Sequence, residues 1–303
     1  MIVRPASDGI HLITQPDHAH LARRIMEHSV ALSGRPRRDM ILHAIGEHDN
    51  GWAEADAAPT VDAESGNVMD FVSAPLSVRH GVWPRGIARL ADDPWAAALV
   101  AQHVLTVYDR YRSDSAWTAF FAEMKAARTR MLRAAAMPLA DLEDDYPFVR
   151  LGDLISLTFC AGWTDEQRFG ASTIHPSGSR VVVTPDPFDG ATIPIEIAAR
   201  AVRNPPYRSD ADLREACREA TLVTLRGEVA GADSVQATAA RPEAATREAA
   251  THGFAAMSRN GCQLRLTHNS GETAPPGSHR KYKEQSCPKL RRSCGLTRKP
   301  KRR

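Results

Sequence analysis

The stretch Ile41–Trp52, ILHAIGEHDNGW, sets the adjacent pair His48-Asp49 at the end of an apolar-periodic segment. The periodicity predicts a helix from about Arg37 to His48, and Asn50-Gly51 is a turn signal that ends it. An imidazole followed at once by a carboxylate is a compact nitrogen-plus-oxygen ligand set for a hard or borderline divalent metal. At a helix C-terminus the backbone can open such a pair toward a pocket. The dipeptide is common by chance, so its weight depends on histidines and aspartates at helical positions elsewhere.

Upstream, Met1–Arg4 and Ile10–Thr14 are short β-type runs around Ser7-Asp8-Gly9, a hairpin signal. Gln15-Pro16-Asp17 opens a helix in which Leu21, Ile25 and Val30 keep roughly helical spacing. Downstream, Asn50–Arg79 is loop-rich, with Pro59, Gly66 and Pro75 as breakers, and carries Trp52, Asp56, Asp62 and Asp70-Phe71. A loop of that length inside a compact domain suits a functional lid. Trp83–Leu90 reads as a short helix. Asp93-Pro94 is an N-cap and first-turn start for a long helix through Tyr111. Further helices are expected over Ala116–Ala136, Phe148–Ala161 and Asp210–Leu225. Val181–Thr184 and Ile193–Ala198 flank an Asp-Gly turn and read as a second hairpin. The economical fold is mainly α: a helical bundle with a small β-sheet formed by the N-terminal and C-terminal hairpins.

Charge divides the chain of 303 residues. From Gly277 to Arg303 there are 11 Lys/Arg and one acid, Glu284, so a net charge of +3 splits into a basic end of +10 and a body of −7. An acidic body argues against a nucleic-acid-binding core, which needs a basic face. From about Gly227 apolar periodicity is lost, so a single domain over 1–228 and a disordered, basic low-complexity tail over 229–303 are expected. That tail reads as solvated, with non-specific attachment to nucleic acid or a membrane surface as the alternative. None of the five cysteines forms a CxxC pair, and no apolar run approaches a membrane span. A cytoplasmic setting is the default expectation.

Six positions make up the candidate constellation: His18, His48, Asp49, His80, His103 and Asp153. His18 lies in the first turn of the first helix, in QPDHAHLA, and His103 lies mid-helix in LVAQHVLTVY. Asp153, in LGDLISLTF, is an acid among apolar neighbours, which is expensive unless it is paired or bound to metal. A lone histidine on an apolar helix is more often a satisfied core residue than a ligand. Several such residues from different helices, beside a His-Asp pair, favour a site. His18 and His20 point about 200° apart on one helix, so one of them can face the pocket. His43, five residues before His48, falls on a different face and reads as structural or exposed. Trp52, Arg79 and Arg85 are the candidates for holding a substrate. There is no Walker loop, no GxGxxG and no GxSxG elbow, and Ser156 forms no recognisable triad with any histidine.

The order His, then His-Asp, then a distant helical Asp resembles the HD-domain superfamily of metal-dependent phosphohydrolases. The wider series QPDHAHLA, HAIGEHDNGW, DPWAAALVAQH and LGDLISL looks like the bacterial family called domain of unknown function 3891, over roughly residues 1–225. The resemblance implies an HD-like helical fold. It implies metal ligation by His18, His48-Asp49 and Asp153, with His80 and His103 as the additional histidines of binuclear members. The implied cofactor is a divalent metal (Mn, Fe, Zn or Mg), and the implied activity is hydrolysis of a small phosphorylated substrate, a phosphate ester or nucleotide, by metal-activated water. The alternative is a non-catalytic helical metal-binding or regulatory domain.

Overall fold

The computed structural model describes residues 1–232. Their order is β1 (Ile2–Pro5), β2 (Ile10–Ile13), α1 (Gln15–Met26), α2 (Val30–Ser33), α3 (Arg38–Glu47), α4 (Ala53–Ala57), α5 (Leu76–Arg89), α6 (Pro94–Val107), α7 (Thr118–Ala135), α8 (Leu139–Ala161), β3 (Gln167–Phe169), β4 (Ser172–Ser177), β5 (Arg180–Thr184), β6 (Thr192–Val202), α9 (Asp210–Glu219) and β7 (Thr221–Gly231). The expected tail over 229–303 lies outside the described residues except for its first four positions.

The seven strands form one mixed sheet in the order β1-β2-β6-β7-β5-β4-β3. This overturns the mainly helical bundle with a small sheet: the fold is α+β. The N-terminal hairpin does join the later strands, through Ile10↔Val202 and Leu12↔Arg200. The second expected hairpin does not form. β7 stands between β5 and β6, parallel to β5 and antiparallel to β6 over ten paired positions. The helix expected over Asp210–Leu225 ends at Glu219. The following TLVTLRGEVAG has Thr221, Val223, Thr224 and Val229, β-branched residues that suit a pleated surface. Its partner β6 offers matching length and alternate burial, so sheet pairing overrides the helical reading. β3 and β4 carry little strand signal, because both are short and polar and β4 contains Pro176.

Caps and spacing account for the helices that carry the site. Thr14 caps α1, its hydroxyl accepting the Asp17 N–H at 3.1 Å, with Pro16 in the first turn. Asp93 caps α6 by accepting the Ala96 N–H at 3.0 Å. α6 is buried nearly all round, which requires neighbours on every side; α3, α5, α7 and α8 supply them. The buried alternates of β6, Ile193, Ile195, Ile197 and Ala199, share one core with Leu21, Ile25, Ile45 and Leu154 of the helices. A second cluster under α9 holds Met1, Leu12, Val202, Tyr207 and Leu213. Among the described residues no helix is long and apolar enough to cross a membrane.

The boundary expected at 228 falls inside β7, where Val229 and Ala230 are fully buried and pair with Val181 and Val182. A chain ended at Glu228 is therefore expected to be less stable than one ended at Ala232. Loss of the Val229 side chain alone costs about 1.5–3 kcal/mol, or about 3–12 °C in Tm. Thermal unfolding of the two truncations, followed by circular dichroism, checks this; equal Tm values would show that the end of β7 contributes nothing.

Candidate metal centre

Four helices bring five ionisable side chains to one buried point. His18 stands in the first turn of α1, His48 caps the C-terminus of α3 with Asp49 next to it, His103 lies in the middle of α6, and Asp153 in α8. The most exposed of the five, Asp49, shows 6% of its surface. A Cβ at Gly152 would press on the Met26 side chain at 2.8 Å, so the bare glycine lets α8 approach α1 closely enough for Asp153 to reach the histidines.

The Nε2 atoms all face the two carboxylates. His18 Nε2 lies 2.8 Å from Asp49 Oδ2 and 4.0 Å from Asp153 Oδ1. His48 Nε2 lies 3.6 Å from Asp49 Oδ2 and 3.4 Å from Asp153 Oδ1, with no hydrogen-bond partner. His103 Nε2 lies 3.7 Å from Asp153 Oδ2. The opposite ring nitrogens are tied outward. His48 Nδ1–H donates to the Ile45 carbonyl at 2.7 Å. Ser156 Oγ donates to the Asp153 carbonyl at 3.1 Å, which leaves it to accept from His18 Nδ1–H at 2.9 Å. The Tyr146 hydroxyl is 3.4 Å from His103 Nδ1. With Nδ1 protonated, His18 and His48 aim lone pairs at carboxylate oxygens. That contact repels unless a proton or a cation stands between them. Outward-bonded imidazoles converging on carboxylates are what metal ligation requires.

Electrostatics agree. Burial works against the charged form of His48, yet the charges of Asp49 and Asp153 raise its pKa to about 9. Burial likewise opposes ionisation of Asp49 and Asp153. The charge of His48 nonetheless holds Asp49 below the usual carboxylate range, and those of Arg150 and His48 hold Asp153 well below it. Burial takes His103 down to about 3, leaving it neutral with a lone pair to offer. Two overlapping groups, His18-His48-Asp49 and His48-His103-Asp153, each have donor atoms within 4.8 Å of one another and could hold an ion. The residues present therefore fit a divalent cation.

The remaining sequence candidates fall elsewhere or on the cavity wall. His80 stacks on Phe120 at 4.4 Å and meets Trp117 edge-on at 4.6 Å, apart from both ligand groups. His20 is exposed beside Glu47, which assigns the α1 position to His18. His43 pairs with the capping Asp93 at 2.8 Å. Asp49, His103 and Asp153 line a cavity of about 290 Å³ together with Trp52, Arg79 and others. Phe71 and Val72 bring the loop before α5 to the same cavity. Arg85 is not part of its wall: it donates to the Gly51 carbonyl at 2.8 Å and pairs with Glu54. Arg89 likewise donates to the Asn50 carbonyl, so α5 clamps the turn that follows the His-Asp pair.

Sequence reasoning missed Arg150, Ser156, Gln15, Trp83 and Arg110. Arg150 pairs with Asp153 three residues on, a helical spacing that could have found it. Ser156 completes a Ser156–His18–Asp49 line of hydrogen bonds that the sequence did not reveal. It is fully buried, is absent from the cavity wall and donates to a backbone carbonyl, so it orients His18. Gln15, Trp83 and Arg110 carry no local signal.

Among known families, the one described as protein of unknown function (DUF3891) matches residues 1–204. The chain belongs to this family. No curated protein and no solved structure matches it. The DUF3891 match spans every member of the centre, from His18 to Asp153, and ends just beyond β6, before α9 and β7.

Gly51 is the tightest point of the turn after the pair. A Cβ there would run into the Val82 carbonyl oxygen of α5, a backbone atom that cannot give way. Gly51→Ala is expected to destabilise the protein by about 1–3 kcal/mol, the usual cost of overpacking. Chemical denaturation measures it, and an unchanged midpoint would contradict the close approach.

Proposed function

We propose that this DUF3891 protein is a metal-dependent hydrolase of a phosphate ester or nucleotide. The observation that carries the reading is the orientation of the imidazoles: His18 and His48 turn their Nε2 atoms toward Asp49 and Asp153 while their other nitrogens are bonded outward. His48 Nε2 has one lone pair, so it serves one ion at a time. Hence the proposed centre holds a single ion on His18, His48, Asp49 and Asp153, with His103 beside Asp153. A donor set rich in imidazole favours Mn, Fe or Zn over Mg. Such an ion supplies Lewis-acid activation of water and of a phosphoryl oxygen.

The chain's own residues do the rest. Asp49 and Asp153 stay ionised, because neighbouring positive charge more than offsets their burial. Arg150, on the cavity wall and bonded to Asp153, fixes that carboxylate and presents positive charge where an anionic phosphoryl group would enter. Trp52 and Trp83 line the same cavity and give it apolar surface beside the charges. The second reading, a metal-binding domain without catalysis, shares every one of these contacts, and turnover separates the two.

Elemental analysis of the purified protein, after reconstitution with Mn, Fe or Zn, is expected to give about one ion per chain. His48→Ala and Asp153→Asn are expected to abolish it. Ser156→Ala, which removes the outward bond of His18, is expected to lower metal affinity about 10–100-fold. Absence of stoichiometric metal under all three reconstitutions would sink the reading. A metal-loaded protein that hydrolyses neither para-nitrophenyl phosphate nor any nucleotide would leave the non-catalytic alternative.

A further inference from the structure

Arg79 and Arg110 border the same cavity as Asp49 and Asp153. The Arg79 guanidinium lies beside the stacked pair Tyr111–Trp117, 5.7 and 5.3 Å from the ring centres, and that of Arg110 lies over Tyr111 at 4.9 Å. Arginines nearby are neutralised: Arg85 by Glu54 and Arg112 by Asp109. Neither Arg79 nor Arg110 has a carboxylate partner among the described residues, and Arg79 Nε is buried without any hydrogen-bond partner. Two guanidiniums without carboxylate partners, both held against Tyr111, offer the donors that an anion would take.

This site is separate from the ion centre. The aromatic series from His103 runs through Trp83, at 6.0 Å, then Tyr108, at 5.9 Å, to Tyr111, at 6.2 Å, so two rings intervene. Arg150 already supplies the cation beside Asp153. A second observation shows that the cavity is built to receive a polar molecule. Gln15 Oε1 and Trp52 Nε1 are buried without partners, on side chains 2% and 3% exposed that line this same cavity. Buried polar atoms left unpaired are costly, and a bound ligand removes the cost.

Resting on the reading of the centre as a phosphoryl-hydrolysing site, we propose that the substrate carries two anionic groups. The reacting phosphoryl lies at the centre, and a second, non-reacting phosphate or carboxylate is held by Arg79 and Arg110. The span between the two ends, lined by Trp83 and Tyr108, takes a compact, ring-sized linker, in keeping with a cavity of about 290 Å³.

The test is direct binding by the full-length, metal-reconstituted protein, followed by tryptophan fluorescence and calorimetry. The probes are phenyl phosphate, with one anionic group, and para-carboxyphenyl phosphate, with a second at the far end. The second probe is expected to bind about tenfold or more tightly, the return on a charge-assisted hydrogen bond. In Arg79→Gln and in Arg110→Gln that preference is expected to fall below about threefold, with phenyl phosphate affinity and metal content unchanged. Arg110 is exposed, so its substitution keeps the test valid should the half-buried Arg79 prove necessary for folding. Equal binding of the two probes by the unaltered protein, or a preference that survives Arg110→Gln, overturns the proposal. Binding needs no turnover, so the two readings fail separately. A protein that hydrolyses nothing yet keeps the preference loses only its catalytic assignment, and one that hydrolyses simple monoesters without the preference loses only the second anion site.

Discussion

Two carboxylates buried within reach of the same imidazole set the terms for the rest of the molecule. Asp49, in the turn after α3, and Asp153, in α8, are far apart in sequence, and both are almost wholly removed from water. Ionised carboxylates in that position repel each other and forfeit their hydration, a cost that the interior must offset with positive charge. The arrangement answers with His48 between them and Arg150 against Asp153. Everything that fixes those four groups is thereby under strong constraint: the close approach at Gly152, the clamp of Arg85 and Arg89 on the turn, and the outward bonds of the imidazoles.

The sheet serves the same end from the other side. α1 and α8, which bring His18 and Asp153 together, both pack on it. The apolar alternates of β6 fix the level at which those helices sit, because a one-residue slip would turn Ile193, Ile195 and Ile197 to solvent. Placement of the centre is thus a property of the whole α+β body rather than of a helical bundle.

The site was more legible in the sequence than the sheet. His48-Asp49 before Asn50-Gly51, His103 on an apolar helix and Asp153 among leucines stand out because they are polar groups where periodicity demands apolar ones. Such violations are visible locally. Arg150 was legible by another route, its three-residue helical spacing to Asp153. His80 drew its ligand role from the family resemblance instead, and its ring is stacked on Phe120 among aromatic neighbours. β7 could not be found so directly. Its apolar residues at 222, 223 and 225 fit a continuing helix as well as a strand, and only the matching length of β6 decides between them. Gln15, Trp83 and Arg110 reach the cavity through tertiary packing alone.

The position of β7 has a consequence for how the fold is reached. It is the last strand of the sheet in sequence, yet it occupies the middle. Until it docks, β1-β2-β6 on one side and β5-β4-β3 on the other each present an open edge of unpaired N–H and C=O groups. During synthesis from the N-terminus, those two half-sheets emerge before the segment that joins them. The nascent chain therefore passes through a stage with two adhesive edges, and closure of the sheet is the event that ends its exposure to self-association.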